Sequence, residues 1–516
     1  MTHQVQFYPS GTTIAVPFGA LVSDAAKQAG VWIDSPCGGK GTCKKCVVFL
    51  SQDGRTESVL ACQTRITADC SITRSNQEFV RPLSEGIVRN VPYAPYPGAT
   101  AFSERSCFAA FDLGTTTIVC YLLDAKTGEQ IAAVGIQNPQ SAYGADVITR
   151  ANYVLTSERP NVMQQYAVEA LNQLLRQVLD TCNRELNDLS LVTLVGNTVM
   201  LHLLLGYPLQ HLVCSPYQPY RTERRILPAN QIGLTAQCPL LIAPVIGGFV
   251  GADTVACMSA TEFGVKRNPT LLIDVGTNGE IVLTDGKRIL CCSTAAGPAF
   301  EGANISCGMR AVTGAIDRVW LDNQQLCYSV IGNGDPLGLC GSGLIDLCAL
   351  LFRQSIIDEG GRFQESTPLG ERIFTMTNGM KAFLVSQEEH PIVLTQKDIR
   401  ELQLGKAAIR AGIETLLHEF RLASKQIHET LLAGAFGNYL SAQSLCDIGL
   451  LPRSLIGSIR SVGNAAGEGA KLYARNFALF EESETMAKKT NYIELALSPV
   501  FTEYYMDAMA FPCEED

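Results

Sequence analysis

Residues 107–136 read CFAAFDLGTTTIVCYLLDAKTGEQIAAVGI, and residues 270–292 read TLLIDVGTNGEIVLTDGKRILCC. In both stretches apolar runs flank a D-x-G-T turn, and in the first a further turn at Asp124–Gly128 leads into a third run. The turns Asp112–Thr115 and Asp274–Thr277 therefore occupy the same point in two related units. The pattern predicts a duplicated domain in which each half begins with a β-meander.

Each D-x-G-T turn carries groups suited to binding a phosphate. An aspartate ends a strand, and the following glycine lets backbone N–H groups approach an oxyanion. Two facing turns would clamp a polyphosphate, and their carboxylates would hold Mg²⁺ mainly through its waters, because that ion dehydrates reluctantly. One such turn is weak evidence, but the repeat within matching hairpins favours a nucleotide site. The catalytic carboxylates predicted are Asp112 and Asp274, and the predicted phosphate-binding residues are Gly114, Thr115, Thr116, Gly276, Thr277 and Asn278.

Two further kinds of segment are rich in small residues. In LLAGAFGNYLS, at 431–441, an apolar run leads into Gly434, Ala435 and Gly437, where a base and ribose could lie flat on the backbone. By itself this is only a strand-to-helix turn, and it gains weight from the two aspartate turns. The segments YGADVITR, at 143–150, and VGNAAGEGA, at 462–470, predict a hinge where the crossing helices of a duplicated fold meet.

Four cysteines near the N-terminus have the spacing of an iron–sulfur ligand set. Cys37-x5-Cys43-x2-Cys46, followed by Cys62, differs by one residue from the plant-type 2Fe-2S pattern. The glycine-rich loop after the first cysteine can fold around the sulfurs with N–H groups inward, which stabilises the charge added on reduction. Zinc is the rival metal, but zinc sites usually pair two C-x2-C units. These four cysteines are predicted to bind a 2Fe-2S cluster, and Cys70 is expected to be a spare or core thiol.

Composition and charge bound the class of protein. The 516 residues, 47% hydrophobic and 17% charged, suffice for about three globular units. The 40 basic and 50 acidic residues give a net charge of −10, which disfavours nucleic acid and membrane surfaces as partners. The start MTHQVQFYPSG lacks the features of an export signal, so we expect a cytoplasmic location. There the 19 cysteines would stay reduced as metal ligands or core residues.

The motifs carry two resemblances. SPCGGKGTCKKC and LACQT resemble the 2Fe-2S ferredoxin family over roughly residues 1–80, which implies a β-grasp fold and one-electron transfer. FDLGTTT, IDVGTNGE and LAGAFG resemble the two phosphate motifs and the adenosine motif of the acetate kinase, sugar kinase, actin and heat-shock chaperone superfamily. The second resemblance implies an α/β protein that binds ATP in a cleft between two RNase H-like lobes.

The expected domain organisation follows from these matches. It comprises a ferredoxin-type domain at 1–80, a linker at 81–106, ATPase lobe I at 107–265 and ATPase lobe II at 266–516. The linker holds four prolines and no periodicity. Extended at about 3.1 Å per residue it could span up to roughly 80 Å and swing the first domain. The alternative is a strap packed on the surface.

Most of the chain also resembles a narrower family, the ATP-dependent reductive activators of corrinoid proteins. The resemblance lies in GGFVGADT at 247–254, STAAGPAFEGANISCGMRA at 293–311, GLCGSGLIDL at 338–347 and TQKDIRELQLGKAAIRAGI at 395–413. It implies that the cluster passes one electron to a Co(II) corrinoid, restoring the Co(I) state that accepts a methyl group. The implied partners are a corrinoid protein and an upstream low-potential electron donor. We expect no counterpart of the middle domain that some relatives carry, and the oligomeric state stays open, a homodimer included.

Three other functions remain open on the sequence. The first is a small-molecule kinase with the cluster as a redox switch, although no aspartate base is identifiable beside a sugar-like site. The second is a redox-sensing scaffold that binds nucleotide without hydrolysing it. The third is a 4Fe-4S dehydratase activator, but such proteins bridge the cluster between subunits, which a self-contained loop of four cysteines does not require.

Overall fold

The computed structural model describes the whole chain except residues 1, 9–10, 32, 34–38, 40, 42–45, 53–54, 75–85, 100–102, 159, 366–368, 388–390, 435–439 and 513–516.

The first domain is a five-stranded sheet with one helix, the arrangement expected of a β-grasp fold. Its elements are β1 (Thr2–Tyr8), β2 (Thr13–Pro17), α1 (Val22–Gln28), β3 (Val47–Gln52), β4 (Arg55–Leu60) and β5 (Cys70–Arg74). The strand order is β2-β1-β5-β3-β4, with β1 parallel to β5. Val5 and Phe7 alternate with polar residues along β1 and are fully buried, because one face of the sheet covers α1 and the core. Cys70 is only partly buried against this core.

The next unit is a six-stranded sheet with helices. Its elements are β6 (Cys107–Leu113), β7 (Thr117–Asp124), β8 (Gln130–Gln137), α2 (Val147–Thr156), α3 (Val162–Thr181), β9 (Leu189–Gly196), α4 (Thr198–Leu205), β10 (Arg225–Pro228), β11 (Pro239–Ile242) and α5 (Ala252–Ala260). The strand order is β10-β11-β9-β6-β7-β8. All eight residues of β9 are buried, which is typical of a central parallel strand covered on both faces. We refer to this unit as the first lobe.

The second lobe completes the chain. Its elements are β12 (Thr270–Val275), β13 (Gly279–Thr284), β14 (Ile289–Thr294), β15 (Ala315–Asp322), β16 (Gln325–Val330), β17 (Gly338–Leu339), α6 (Gly341–Arg353), β18 (Ile373–Thr375), β19 (Lys381–Ser386), β20 (Ile392–Thr395), α7 (Gln396–Phe420), β21 (Glu429–Ala433), α8 (Ala442–Asp447), β22 (Ile459–Gly463), α9 (Ala465–Arg475), α10 (Phe477–Lys489), β23 (Thr490–Tyr492) and α11 (Pro499–Asp507). Its main sheet has the order β22-β21-β12-β13-β14-β23, and two three-stranded sheets, β15–β17 and β18–β20, are inserted after β14.

The two main sheets share one topology, so the predicted duplication is confirmed. Strands β8-β7-β6-β9-β11 of the first lobe match β14-β13-β12-β21-β22 of the second, with the same parallel and antiparallel pairings. The added strands β10 and β23 lie at opposite edges of this common core. The D-x-G-T segments form the first hairpin bend of each lobe, as the repeat predicts.

The hinge helices differ in part from the prediction. Helix α9, which contains most of the segment 462–470, packs along α5 and against β6 and β9 of the first lobe. Gly469 lies directly against the backbone of Ala256, where a Cβ atom would come within 2.3 Å of the Ala256 carbonyl oxygen. The segment 143–150 instead leads into α2, which packs on α3 and α4 within the first lobe. Assigning that segment to the crossing was wrong, because each crossing helix follows the last core strand of its lobe.

The described part of the linker packs on the ATPase lobes, as in the second alternative. We call residues 86–99 the strap. Ile87 N donates to Val462 O at 3.0 Å, beside the N-terminus of α9, and Ala94 N donates to Arg475 O at 2.9 Å, at its C-terminus. The strap therefore follows the length of α9.

The strap also contacts the other crossing helix. Arg89 Nη1 donates to Ser259 O of α5 at 2.8 Å, and its Nε lies 3.4 Å from the Glu262 carboxylate. These contacts tie the strap to both helices that connect the lobes.

Candidate functional site

The two D-x-G-T turns meet across the cleft between the lobes. Gly114 N donates to Thr117 O at 3.0 Å, and Gly276 N donates to Asn278 O at 2.9 Å, so the glycine N–H closes each turn and the turn of the first lobe is one residue longer. The hydroxyl oxygens of Thr116 and Thr277 lie 3.0 Å apart. The structure therefore brings the predicted phosphate-binding residues of both lobes together. Thr115 and Asn278 lie half-buried in the same turns.

The predicted catalytic carboxylates lie at matching strand ends. Asp112 is the penultimate residue of β6, and Asp274 holds the same place in β12. Asn464 Nδ2, at the N-terminus of α9, donates to Asp112 Oδ2 at 3.0 Å. Cys257 Sγ, from α5, donates to Asp274 Oδ2 at 3.5 Å. Each crossing helix thus contacts one of the two aspartates.

Two more carboxylates join the pair, and sequence reasoning missed both. Asp253 lies at the start of α5, and Glu280 pairs with Asp274 in register on β13, so both side chains point to the same face of the sheet. A signal for Asp253 was present, because GGFVGADT places an acidic residue at a helix start one helical turn before Cys257. Glu280 lies in the quoted motif IDVGTNGE.

These carboxyl groups have raised pKa values because the cleft shields them from water. Burial raises the pKa of Asp112 to about 6, and the charge of Asp274 adds to the shift. Burial, with smaller contributions from Asp274 and Asp112, raises the pKa of Asp253 to about 7. The pKa of Asp274 is raised by burial, and that of Glu280 is raised well above its usual range by burial and by the neighbouring aspartates. The cleft therefore has a deficit of positive charge.

A hydrated magnesium ion fits this deficit. Within the parts of the chain that the structure describes, no group of three or more His, Cys, Asp or Glu side chains is arranged to hold a metal ion directly. The carboxylates face a cleft whose turns present hydroxyls and backbone amides, a donor set suited to Mg²⁺ held through water and phosphate oxygens. Metal and polyphosphate would neutralise each other's charge there.

The predicted adenosine segment starts beside the second phosphate turn. Gly434 has φ +101°, and a Cβ atom there would lie 2.6 Å from Val275 O and 2.8 Å from Asp274 Oδ1. Only glycine fits this position without displacing the turn. Ala435 and Gly437 lie outside the described residues, so their predicted role stays a prediction.

The described half of the cysteine set fits a cluster. Cys46 and Cys62 are buried, with their sulfurs 3.2 Å apart, and Cys62 N donates to Cys46 Sγ at 3.5 Å. Burial and the neighbouring thiol raise the pKa of Cys46 to about 11, so without metal Cys46 is held as a thiol. Paired sulfurs with a backbone N–H directed at them suit an iron ion that deprotonates them. Cys37 and Cys43 lie outside the described residues.

A glutamate that sequence reasoning did not single out closes the phosphate turns. Glu301 accepts hydrogen bonds from Thr116 Oγ1 at 2.6 Å and from Thr277 Oγ1 at 2.9 Å. It lies in a 3-10 turn, Pro298–Glu301, that follows β14. Because its partners lie 185 and 24 residues away along the chain, no local pattern connects it with them.

The fold and the site define a class of protein, a ferredoxin-type domain fused to an actin-like ATPase. A family profile described as a 2Fe-2S iron-sulfur cluster binding domain matches residues 5–67. The profile for the C-terminal domain of RACo, the ASKHA domain, matches 268–516, and one for the RACo middle region matches 108–266. The expectation that the chain lacks a middle region is therefore wrong, because the first lobe itself matches that profile.

Known proteins match over most of the chain. The corrinoid activation enzyme RamQ of Eubacterium limosum is 31% identical, with 94% of this chain and 95% of the relative aligned. A [Co(II) methylated amine-specific corrinoid protein] reductase of Methanosarcina barkeri is 25% identical over 78% of this chain and 76% of its own. A solved structure of a reductive activator for a corrinoid, iron-sulfur protein is 28% identical, with TM-score 0.75 and coverage of 99% and 98%. The chain belongs to the family of corrinoid activation enzymes.

In the described part of the chain, the helices are too short or too polar to cross a lipid bilayer.

Proposed function

We propose that this protein uses ATP to drive the one-electron reduction of a Co(II) corrinoid protein to its Co(I) state. The observation that carries the proposal is the union on one chain of a β-grasp domain with paired buried cysteines and two aspartate turns whose threonine hydroxyls lie 3.0 Å apart. The names of the relatives, an activation enzyme and a Co(II) corrinoid protein reductase, support the same reaction. Among the described residues of the cleft, no side chain favours a kinase more strongly than this reaction.

The ATP site is formed by both lobes. Asp112 and Asp274 hold the waters of Mg²⁺, and the Thr116 and Thr277 hydroxyls donate to the terminal phosphate. The two aspartates hold matching places at the ends of β6 and β12, and the two hydroxyls lie 3.0 Å apart, which supports these roles. Asn464 and Cys257 keep the two carboxylates in place through the hydrogen bonds described above. The adenosine moiety lies along the segment that begins at Gly434.

The ferredoxin domain holds the electron carrier. Cys46 and Cys62, together with Cys37 and Cys43, bind the 2Fe-2S cluster, which when present supplies a single low-potential electron. The buried Cys46–Cys62 pair and the N–H of Cys62 support the assignment. An upstream donor of low potential reloads the domain.

ATP is needed because the electron transfer is uphill. A plant-type cluster lies near about −400 mV, and a Co(II) corrinoid is a poorer acceptor still. For one electron, about 59 mV corresponds to about 1.4 kcal/mol, so a gap of one or two hundred millivolts requires only a few kcal/mol. Closing the lobes on Mg-ATP can supply this as differential binding of the partner in its two states. Hydrolysis then reopens the cleft and separates the partners.

An anaerobic reduction assay tests the proposal. Protein with reconstituted cluster is mixed with a Co(II) corrinoid protein of a methyltransferase system, Ti(III) citrate and Mg-ATP, and the visible spectrum is followed for Co(I). We expect Co(I) only when ATP is present. Cys46→Ser should abolish reduction together with the cluster spectrum, and Cys214→Ser, which removes an exposed thiol, should leave both unchanged.

The nucleotide arm of the assay uses Asp112→Asn and Asp274→Asn, with Asp322→Asn at an exposed position as the control. We expect the first two to lose ATP hydrolysis at least about 100-fold and to lose ATP-dependent Co(I) formation. Formation of Co(I) at the same rate without nucleotide would refute the coupling. Nucleotide binding without any hydrolysis would leave only the redox-sensing scaffold.

A further inference from the structure

Glu301 occupies the centre of the nucleotide cleft, yet the roles assigned above do not use it. Its two carboxylate oxygens each accept a hydrogen bond from a different lobe, one from Thr116 and one from Thr277. The position of this carboxylate therefore depends on both lobes.

The same two hydroxyls are the proposed donors to the terminal phosphate. A hydroxyl donates a single proton, so Glu301 and a phosphate oxygen compete for the hydroxyls of Thr116 and Thr277. When both anions are present they cannot touch, because two negative groups in contact repel each other strongly in a shielded cleft. A water molecule that donates to the carboxylate can fill the space between them. Its oxygen would then face the terminal phosphorus.

The electrostatic surroundings suit such a carboxylate. Arg150 is fully buried on α2, where its Nε donates to Gly144 O at 2.9 Å. Burial lowers the pKa of Arg150 to about 10, and the charges of Asp146 and Glu301 oppose the shift, so the guanidinium stays protonated at neutral pH. This buried cation supplies positive charge that acts on Glu301.

We propose that Glu301 orients the water that attacks the terminal phosphate of ATP and accepts its proton. The water oxygen forms the new bond to the γ-phosphorus while the bond from that phosphorus to the bridging oxygen breaks, and ADP leaves with that oxygen. The proton passes to the Glu301 carboxylate and then to solvent. The proposal rests on the ATPase function proposed above. It also links hydrolysis to lobe closure, because the two hydroxyls that receive the phosphate beside this carboxylate come from different lobes.

The test compares Glu301→Gln with the wild type and with Glu371→Gln, which changes an exposed glutamate of the same lobe. Three quantities are measured on the full chain: kcat and KM for ATP hydrolysis, the dissociation constant of Mg-ATP by fluorescence of a labelled analogue, and the Mg²⁺ concentration that half-saturates binding. Glutamine keeps the size of the side chain and can still contact the threonines. It cannot accept the proton.

We expect Glu301→Gln to lower kcat by about 10² to 10⁴, while the Mg-ATP dissociation constant and the Mg²⁺ requirement stay within about threefold of the wild type. Unchanged kcat would overturn the proposal. A parallel loss of Mg-ATP binding, or a raised Mg²⁺ requirement, would also overturn it, since Glu301 would then hold the turns or the metal. If the wild-type protein itself hydrolyses no ATP, the proposed function fails rather than the role of this residue.

Discussion

At the scale of single residues, the cleft is organised around a shortage of positive charge. Asp112, Asp253, Asp274 and Glu280 come from four different elements, and each has a pKa above its ordinary value because burial disfavours the ionised form. A folded protein tolerates such a group when a ligand neutralises it. The folded cleft is therefore strained electrostatically until a cation binds.

Removal of one buried carboxylate should stabilise the nucleotide-free protein. Asp253 has a pKa of about 7 in the folded chain and one near 4 when unfolded, so its penalty grows as pH rises from about 4 to about 7 and then stays constant. We expect Asp253→Asn to raise the free energy of unfolding by about 2 kcal/mol at pH 8, with a smaller gain at pH 5.

Urea unfolding at the two pH values measures this effect. Asp322→Asn, at an exposed position, is the control and should change little at either pH. Equal or lower stability of Asp253→Asn at pH 8 would contradict the argument.

The Mg²⁺ requirement should depend on pH with a defined sign. Because a bound cation favours ionised carboxyls, binding is strongest above the pKa values of about 6 for Asp112 and about 7 for Asp253, and it weakens as pH falls through them. At fixed ADP, the Mg²⁺ concentration for half-saturation should rise about tenfold from pH 8 to pH 6. Calorimetric titration measures it, and a flat profile in the wild type would count against a metal held by this group.

At the scale of elements, the two crossing helices connect the lobes and also contact the two aspartates proposed to be catalytic. Helix α9 carries Asn464, which binds Asp112, and α5 carries Cys257, which binds Asp274. Gly469 lets the helices approach until their backbones touch. Lobe movement and aspartate position are therefore linked through one helix pair.

Gly469→Ala should disturb this helix pair. Its methyl group would lie 2.3 Å from the Ala256 carbonyl oxygen, a contact that only a backbone shift can relieve. We expect a loss of about 2 kcal/mol in unfolding free energy and a lower kcat for ATP hydrolysis. The matched control is Gly457→Ala, where nothing lies within 4 Å of the new Cβ atom. The argument fails if both variants unfold at the same urea concentration.

The contrast between predicted and missed features has a physical reason. The turns at Asp112 and Asp274 could be read from the sequence, because the strand, turn and acceptor geometry all lie within a few residues. Glu301 could not, since its partners come from distant turns that only the closed fold brings together. The hinge was assigned partly to 143–150 because small residues indicate close packing but do not show which element packs against them. That element is set by the order of helices and strands in the duplicated unit.

At the scale of the whole molecule, the strap is the part of the chain between the ferredoxin domain and the lobes that form the nucleotide cleft. It follows α9 from Val462 to Arg475 and contacts α5 at Ser259, so it crosses the helix pair that connects the lobes. Asn476 Nδ2 adds a bond to Pro92 O at 2.9 Å. The fold could be predicted at this scale. Whether the linker is extended and mobile or packs on the lobes could not, because a proline-rich segment is compatible with either arrangement.

Weakening the contacts of the strap should uncouple ATP hydrolysis from the formation of Co(I). In the double variant Arg89→Ala with Asn476→Ala, three strap contacts are lost at about 1 kcal/mol each. We expect cleavage within 86–99 by a nonspecific protease to become at least about tenfold faster, and ATP hydrolysis to stay within about twofold. The yield of Co(I) per ATP hydrolysed should fall severalfold.

Arg221→Ala, which removes an exposed ion pair with Glu223, is the control for this double variant. An unchanged yield of Co(I) per ATP, despite faster cleavage, would show that the strap has no part in the coupling.

The hydrogen bond between Ile87 and Val462 lies two residues before Asn464, whose side chain donates a hydrogen bond to Asp112. The segment that follows the ferredoxin domain is thus fastened two residues from the side chain that contacts Asp112, a proposed magnesium-binding residue. Such an arrangement can keep the iron–sulfur cluster away from the corrinoid while the nucleotide cleft is empty. Loss of the contact at that point would leave a protein that still hydrolyses ATP but no longer reduces the corrinoid.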